Sequence, residues 1–215
     1  MKKIYAEYQA ENFLIKHGIP VSKRFLTHSY DELMKVAKTM RFPIDLKIIS
    51  IDVIHKSDIG GVRICYDYED IPKEYEEIMK IIKKLKIKNI EGILTQEYIY
   101  GKELLIGIKK DCTFGHVIGF GFGGIFTEVL KDVTFRVCPI TEKDAQEMID
   151  ELRTKKILYG VRGQKPVNFR FLKNILVKIS KIPMINDNLT EMDINPIIIN
   201  DISGKVVDAR IVFEE

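Results

Sequence analysis

The sequence predicts a fold of the α+β class, and three observations support this prediction. Segments in which apolar residues recur about every 3.6 positions are interspersed with short β-rich runs along the 215 residues. Hydrophobic side chains make up 46% of the chain, which is enough to bury a sizeable core. The sequence contains no internal repeat, low-complexity tract or Ser/Pro-rich linker. Any division into lobes is therefore expected to pass through ordered structure.

The first 51 residues predict two helices followed by a strand. Apolar residues at helical spacing before Gly18 predict a helix that ends at this glycine. A short extended run follows, and then Ser29 and Glu32 form an S-x-x-E capping box that predicts a second helix through Met40. The apolar run over residues 44–51 predicts a strand with Lys47 in its middle.

The rest of the chain predicts further helices and strands. Residues 75–85 have the apolar period of an amphipathic helix, and lysines line its polar side. We place a division into lobes near Ile93, where helices give way to strands, so that the predicted lobes are residues 1–92 and 93–215. The other expected elements are strands over 93–99, 103–108, 191–199 and 205–213, and helices that begin at Thr141 and Phe169.

Composition excludes several classes of protein. The 34 basic and 31 acidic residues nearly balance, which argues against a nucleic-acid-binding surface. No apolar run reaches the ~20 residues of a membrane span, and the N-terminus lacks the apolar region of a signal peptide. The three cysteines are far apart and form no CxxC pair, which is typical of free thiols in a reducing compartment. We expect a cytoplasmic protein that binds neither nucleic acid nor membrane.

The segment over residues 47–61 concentrates chemically reactive side chains. A lysine in an apolar strand such as Lys47 requires an anion or a carboxylate, unless it reaches water from a strand edge. The imidazole of His55 has a carboxylate and a cation nearby in sequence, and could act on a phosphoryl group, although a lone histidine is more often structural. Gly60 and Gly61 can turn backbone N–H groups toward an anion, although glycine pairs more often form turns.

A glycine-rich segment, GFGFGG, covers residues 119–124. It formally matches G-x-G-x-x-G, but a dinucleotide-binding site requires that this motif open a helix. Residues 125–137 are rich in Phe, Val and Thr and lack a clear helical period. We therefore interpret the segment as a glycine loop that permits close approach of the backbone, and we reject a Rossmann domain.

A third segment, EMDINP at residues 191–196, predicts a cluster of oxygen ligands. Alternation along a strand places Glu191, Asp193 and Asn195 on one face, and the last strand can bring Asp208 beside them. Carboxylate and amide oxygens suit Mg²⁺ that also binds nucleotide phosphates. The alternative is a polar outer face of a sheet with no ligand.

Together these segments resemble the beta subunit of ADP-forming acetyl-CoA synthetase, in the succinyl-CoA synthetase superfamily. The resemblance runs nearly from end to end through EYQAENFLIKHGIPV, FPIDLKIIS, IHKSDIGGV, ILTQEYIYGKELLIGIKKD, FGFGGIFTEVLKDVTFRVCPIT, LYGVRG, EMDINPIIIN and VVDARI. It implies an ATP-grasp fold in which two α+β lobes hold ATP or ADP with Mg²⁺. It also implies an acid-thiol ligase that works with an alpha subunit in a hetero-oligomer and makes ATP from acyl-CoA, ADP and phosphate.

The resemblance also implies roles for individual residues. The histidine that matches His55 is a phosphoryl carrier in this family, and Asp193 would face the transferred phosphoryl group or this histidine. The remaining residues would hold the nucleotide and its metal: Lys47 at phosphate, Gln96, Glu97 and Tyr98 at the adenine, Glu103 in the nucleotide pocket, and Asn195 and Asp208 as metal ligands.

Two other functions stay open at this point. An ATP-grasp carboxylate-amine ligase would use the same nucleotide pocket without a histidine relay, and the HKSD segment argues against it. A non-catalytic nucleotide-sensing module would also keep the pocket. The sequence does not reveal the preferred acid, because acid selection is expected to reside in the alpha subunit.

Overall fold

The computed structural model describes residues 2–53, 56–124, 132–161 and 163–214. The chain divides into two compact units, Ser22–Tyr98 and a second unit formed by Met1–Val21 with Ile99–Glu215. Strand β5 (Ile90–Glu97) crosses the predicted boundary at 92/93 and is paired on both sides within the unit Ser22–Tyr98. The lobes 1–92 and 93–215 stay a prediction.

The unit Ser22–Tyr98 contains an antiparallel four-stranded sheet in the order β2-β5-β3-β4. Apolar side chains of α2, α3 and the sheet form its core, with Leu33, Leu46 and Ile78 fully buried. Its elements are β2 (Arg24–Thr27), α2 (Tyr30–Ala37), β3 (Ile44–Ser50), β4 (Val62–Cys65), α3 (Ile71–Leu85) and β5 (Ile90–Glu97).

Side-chain caps explain where the two helices of this unit begin. The Ser29 hydroxyl accepts the N–H of Glu32 at 3.2 Å, as the capping box predicts, while the Glu32 carboxylate accepts the N–H of His28. Helix α3 begins earlier than predicted. A capping box of Asp67 and Asp70 opens a short 3₁₀ turn that leads directly into it.

The second unit contains an antiparallel seven-stranded sheet among its described residues. The strand order is β1-β11-β9-β6-β7-β8, and β10 pairs with β9. Helices α1, α4 and α5 contribute to the same core as one face of this sheet. The elements are β1 (Lys2–Tyr5), α1 (Glu7–Lys16), β6 (Lys102–Asp111), β7 (Gly115–Phe122), β8 (Val133–Val137), α4 (Glu142–Glu151), α5 (Phe169–Ser180), β9 (Leu189–Ile199), β10 (Gly204–Val206) and β11 (Ala209–Glu214).

The predicted glycine loop is wrong for residues 119–122, which belong to β7. Phe120 and Phe122 enter the core, whereas Gly119 and Gly121 lie on the opposite face. The close approach is nevertheless real. A Cβ on Gly121 would lie 2.5 Å from the carbonyl oxygen of Asp132, so only glycine fits there without displacing the backbone.

The predicted final strand over 205–213 is two strands, β10 and β11, that both pair with β9. Along β9 the buried positions change from Met192 and Ile194 to Ile197 and Ile199, so the alternation shifts by one residue. Pro196 lies at this shift and has no N–H to donate to a neighbouring strand. The partner strand is interrupted opposite it, and Asp208 lies in the gap.

None of the helices in the described part of the chain is both long and apolar enough to cross a membrane.

Candidate functional site

The outer face of β9 carries the three polar side chains that the sequence places together. Glu191 is exposed, and Asp193 and Asn195 are half-buried, while the intervening Met192 and Ile194 are buried in the core. This confirms the predicted alternation.

Asp208 lies beside Asn195, as expected. The backbone N–H of Asn195 donates to the carbonyl oxygen of Asp208 at 3.2 Å, and Val207 N–H donates to the carbonyl of Pro196 at 3.1 Å. These two bonds join β9 to the chain at the gap between β10 and β11. Asp208 is half-buried, so a carboxylate and an amide oxygen are brought to one place on this unit.

Two glycines connect Glu103 to Asn195. Gly123 N–H donates to the carbonyl oxygen of Glu103 at 2.9 Å, and Gly124 N–H donates to Oδ1 of Asn195 at 2.9 Å. A Cβ on Gly124 would overlap the Glu103 carboxylate, and its φ of +60° favours glycine. Sequence reasoning missed this connection, although the Gly-Gly pair at the end of the GFGFGG segment was its signal.

The donor atoms fit Mg²⁺ bound together with phosphate. Mg²⁺ prefers oxygen ligands and usually keeps several waters, so it needs only one or two protein carboxylates. The Asn195 carbonyl oxygen has a second lone pair beside the one that accepts Gly124 N–H. In the described ranges no group of three or more His, Cys, Asp or Glu side chains could hold a metal by itself. A site here would therefore be completed by phosphate and water.

Lys47 is 6% exposed and lies on β3, in the unit Ser22–Tyr98. Because β3 pairs with β4 on one side and β5 on the other, the lysine is not at a sheet edge. The alternative in which Lys47 reaches water from an edge strand is thus wrong. A buried ammonium favours an anionic partner, which is compatible with the predicted phosphate contact.

The end of β5 is tied to the beginning of its unit. Gln96 is fully buried, and its Nε2 donates to the Ser22 hydroxyl at 2.5 Å. The carboxylate of Glu97 accepts the N–H of Lys23 at 2.6 Å. The N–H of Tyr98 donates to the Pro43 carbonyl at 3.3 Å. These contacts fix the backbone of the predicted adenine hinge.

Gly60 and Gly61 close a turn. Gly60 has a φ of +72°, and its N–H donates to the carbonyl oxygen of Ser57. The N–H of Gly61 donates to the carbonyl oxygen of Lys56 at 2.7 Å. Both N–H groups are therefore used inside the turn, and contact with a nucleotide through them would require the turn to open. The predicted carrier, His55, lies outside the described residues.

A concavity of about 130 Å³ lies elsewhere in the unit Ser22–Tyr98. Side chains of α3, including Tyr75 and Met79, line it together with the end of β2 and the start of β5. None of the predicted site residues in the described part of the chain lines this concavity, so we do not assign it to the nucleotide.

The chain belongs to the ATP-grasp domain family, which it matches over residues 1–213. The predicted α+β ATP-grasp fold is thereby confirmed. Domains of this family use a nucleotide with Mg²⁺. The predicted Lys47 and Gln96–Tyr98 contacts lie in one compact unit, and Glu103, Asp193, Asn195 and Asp208 lie in the other.

Within this family, the chain is a homologue of ADP-forming acetyl-CoA synthetase beta subunits. It is 39% identical over 214 residues to the beta subunit of acetate–CoA ligase [ADP-forming] II from Pyrococcus furiosus, covering 97% of this chain and 91% of that one. It is also 39% identical over 201 residues to acetate–CoA ligase [ADP-forming] I of Archaeoglobus fulgidus, covering 93% of this chain but 29% of that longer protein.

A solved structure of acetyl-coenzyme A synthetase 1 from Ca. Korarchaeum cryptofilum, with coenzyme A and Ca-AMPCP, has a TM-score of 0.92 and 41% identity. The match covers 99% of this chain and 94% of that one. A second structure of that enzyme holds coenzyme A and Mg-AMPPCP, with a phosphohistidine segment pointing towards the nucleotide site (TM-score 0.84, 39% identity, 99% and 93% covered). The Pyrococcus relative is named a ligase and a beta subunit, and this name implies an alpha partner for it.

Proposed function

We propose that this chain is the nucleotide-binding beta subunit of an ADP-forming acyl-CoA synthetase. The reaction is acyl-CoA + ADP + phosphate ⇌ acid + CoA + ATP. The observation that carries the proposal is the convergence of Glu103, Asn195 and Asp208 on the outer face of the seven-stranded sheet, in a chain that matches such subunits nearly from end to end.

Each predicted residue has a defined task in this proposal. Asn195 and Asp208 would hold Mg²⁺, which when bound neutralises phosphate charge. Glu103 contacts the nucleotide from the adjacent strand, and Asp193 faces the phosphoryl group. Lys47 contributes a fixed positive charge for phosphate, and its low exposure limits competition from water. Gln96, Glu97 and Tyr98 present the backbone edge to adenine, and Gly60 and Gly61 are candidates for a further phosphate contact.

In this proposal the imidazole of His55 carries the phosphoryl group. A neutral ring nitrogen attacks phosphorus of an acyl phosphate formed at the partner subunit, the carboxylate leaves, and an N–P bond forms. An oxygen of the ADP terminal phosphate then attacks the same phosphorus, the N–P bond breaks, and ATP and free histidine result. Histidine suits this relay because its nitrogen is nucleophilic near neutral pH.

The partner in the proposal is an alpha subunit that carries the CoA and acyl-phosphate chemistry. The complex would be an alpha–beta hetero-oligomer in the cytoplasm. Three free cysteines, of which Cys65 is buried and Cys112 is exposed, are compatible with a reducing compartment.

Nucleotide binding is tested first on the chain alone. Saturating Mg-ADP should raise the melting temperature, because a ligand of the folded state stabilises it by mass action. Asp208→Asn should remove the Mg²⁺-dependent part of this shift. Glu191→Gln, on the same face of the sheet, is the control and should keep it. A wild-type protein that shows no shift with Mg-ADP would contradict the proposal.

The relay is tested with the alpha subunit added. Mixed subunits should convert acetyl-CoA, ADP and phosphate into ATP, and labelled phosphate should appear on the beta chain. His55→Ala should abolish both while the Mg-ADP thermal shift stays. Unchanged turnover in this variant would remove His55 from the mechanism but leave nucleotide binding in place.

A further inference from the structure

Arg210 lies directly opposite Asp193 in the antiparallel pairing of β11 with β9. Side chains of directly opposed residues lie on the same face of a sheet, with Cβ atoms about 4.5–5.5 Å apart. Arg210 is therefore on the outer face, beside Asp193. It also follows Asp208 by two positions, so it extends the row of polar groups along the edge of the candidate metal site.

Contacts with the described residues hold the Arg210 guanidinium only loosely. Its side chain is 39% exposed, and an ion pair joins its Nη1 to Oε1 of Glu191 at 3.7 Å. A charge-assisted hydrogen bond between such groups is about 2.7–2.9 Å long. At this distance the contact with Glu191 leaves unused the planar set of N–H donors that can bind a phosphate in a bidentate manner.

On the other side of Asp193, Gly107 of β6 lies directly opposite it. Among the described residues, a Cβ on Gly107 would meet only the carbonyl oxygen of Met192, at 3.8 Å. The row of Arg210, Asp193 and Gly107 therefore presents a cation, a carboxylate and, because glycine has no side chain, space for a ligand group on the sheet surface. Without a cation, a phosphoryl group placed here would be repelled by Asp193.

We propose that Arg210 binds the terminal phosphoryl group of the nucleoside triphosphate. This inference rests on the proposed function. Two residues of a strand span about 7 Å, so the Arg210–Asp193 row lies one such step along the sheet from Asn195. When Asn195 and Asp208 hold the metal, the terminal phosphoryl group of a triphosphate would extend from Asn195 to the Arg210–Asp193 row. A diphosphate lacks this group. Arg210 thus distinguishes a triphosphate from a diphosphate.

The experiment compares two probes on the isolated chain by isothermal titration calorimetry. The probes are Mg-ADP and Mg-AMPPCP, a triphosphate analogue that is not hydrolysed. Arg210→Gln should weaken Mg-AMPPCP by about tenfold to a hundredfold, the range expected for losing hydrogen bonds to a charged group. Its affinity for Mg-ADP should change by less than about twofold. A residue that only supports the fold would lower both affinities together.

Two further variants make the comparison sharper. Lys109 is another cation on the same face; it lies opposite Glu191, one row from Asp193. The variant Lys109→Gln should leave the ratio of the affinities for Mg-ADP and Mg-AMPPCP unchanged. Arg210→Lys keeps the charge and the fold but loses bidentate geometry, so its loss for Mg-AMPPCP should be intermediate.

The outcomes separate this inference from the proposed function. If the wild-type chain binds both probes and Arg210→Gln changes both equally or neither, the assignment of Arg210 is overturned and the proposed function stands. If the wild-type chain binds neither probe, the proposed function fails and the assignment of Arg210 fails with it.

Discussion

The two sheets place their polar side chains differently. In the four-stranded sheet of Ser22–Tyr98, Lys47 is 6% exposed and Gln96 is fully buried. In the seven-stranded sheet, Asp193 and Asn195 of β9 are half-buried and lie on the face away from the core. A buried polar group must be satisfied in place, so its loss affects folding, whereas an accessible one can serve a ligand at little cost in stability. The comparison predicts that substitutions of polar residues in the four-stranded sheet lower mainly stability, and that substitutions on the outer face of β9 lower mainly activity.

The largest effect is expected at Asp193. In the proposed function Asp193 faces the phosphoryl group. Asp193→Asn keeps the size of the side chain and removes its charge, so turnover of the proposed alpha–beta enzyme should fall by at least about a hundredfold. The free energy of unfolding should change far less than it does for a fully buried polar group, because Asp193 is half-buried on the face away from the core. Turnover and urea unfolding followed by circular dichroism measure the two quantities.

Glu191→Gln is the matched control for Asp193. Glu191 lies on the same face of β9 and is exposed, so this variant should retain most of the turnover. If both variants lost activity equally, the effect would come from the charge of the face and not from Asp193. A large loss of stability in Asp193→Asn would contradict the comparison of the two sheets.

The opposite result is expected at Gln96. Gln96→Leu removes the donor to the Ser22 hydroxyl and leaves that hydroxyl buried, since Ser22 is 1% exposed. The free energy of unfolding should fall by about 1–3 kcal/mol. Combining it with Ser22→Ala in a double-mutant cycle should show that the two losses are not additive. Additive losses would mean that the hydrogen bond contributes nothing of its own.

Elements specified by local patterns were predicted well from the sequence. The Ser29 cap, the glycine at the end of α1 and the alternation of Glu191, Asp193 and Asn195 each depend on residues a few positions apart. These features require no knowledge of a partner strand. The family and its fold were accessible through ordered motifs. The adjacency of Asn195 and Asp208 was accessible because consecutive strands near the end of the chain were expected to pair.

The features that were missed depend on residues far apart in sequence. Whether GFGFGG is a loop or a strand depends on its pairing with β6 and β8. The interruption between β10 and β11 depends on the shift at Pro196 in another strand. The bond from Gly124 to Asn195 joins residues 71 positions apart, so the Gly-Gly pair signals a close approach but does not identify Asn195 as the partner. The pairing of Asp193 with Arg210 could not be predicted from the sequence for the same reason.

Asp132 is a buried carboxylate in the unit that contains the seven-stranded sheet. It tests whether the stability cost of a substitution depends on burial or on the sheet to which the residue belongs. Asp132 is 7% exposed. Burial alone would raise the pKa of Asp132, but hydrogen bonds from the Thr154 hydroxyl and from the N–H groups of Thr154 and Arg153 hold it below its usual range. Asp132→Asn should lower the free energy of unfolding at pH 7 by about 1–3 kcal/mol, as if Asp132 belonged to the other sheet.

The pH dependence of this effect follows from the lowered pKa of Asp132. The ionised carboxylate stabilises the folded state fully above the ordinary pKa of about 3.9, and this contribution is lost as the pH falls through the lower pKa of the folded protein. The difference between wild type and Asp132→Asn should therefore narrow below about pH 4. Urea titrations at pH 7 and pH 3 measure it. A difference that is the same at both values would show that the hydrogen bonds do not depend on charge.

The smallest effect concerns the thiols, which report whether the buried parts of both units stay closed. Burial raises the pKa of Cys65 to about 12, with the nearby carboxylates of Glu74 and Asp70 adding to the shift, and burial alone raises the pKa of Cys138 to about 12. At pH 8 such thiols are ionised to about one part in ten thousand. An aromatic disulfide reagent should thus modify the exposed Cys112 first, and all three cysteines only in denaturant. If Cys65 reacted as fast as Cys112, the four-stranded sheet would open under native conditions. Lys47 and Gln96 of this sheet would then be exposed to water, which would contradict the comparison of the two sheets.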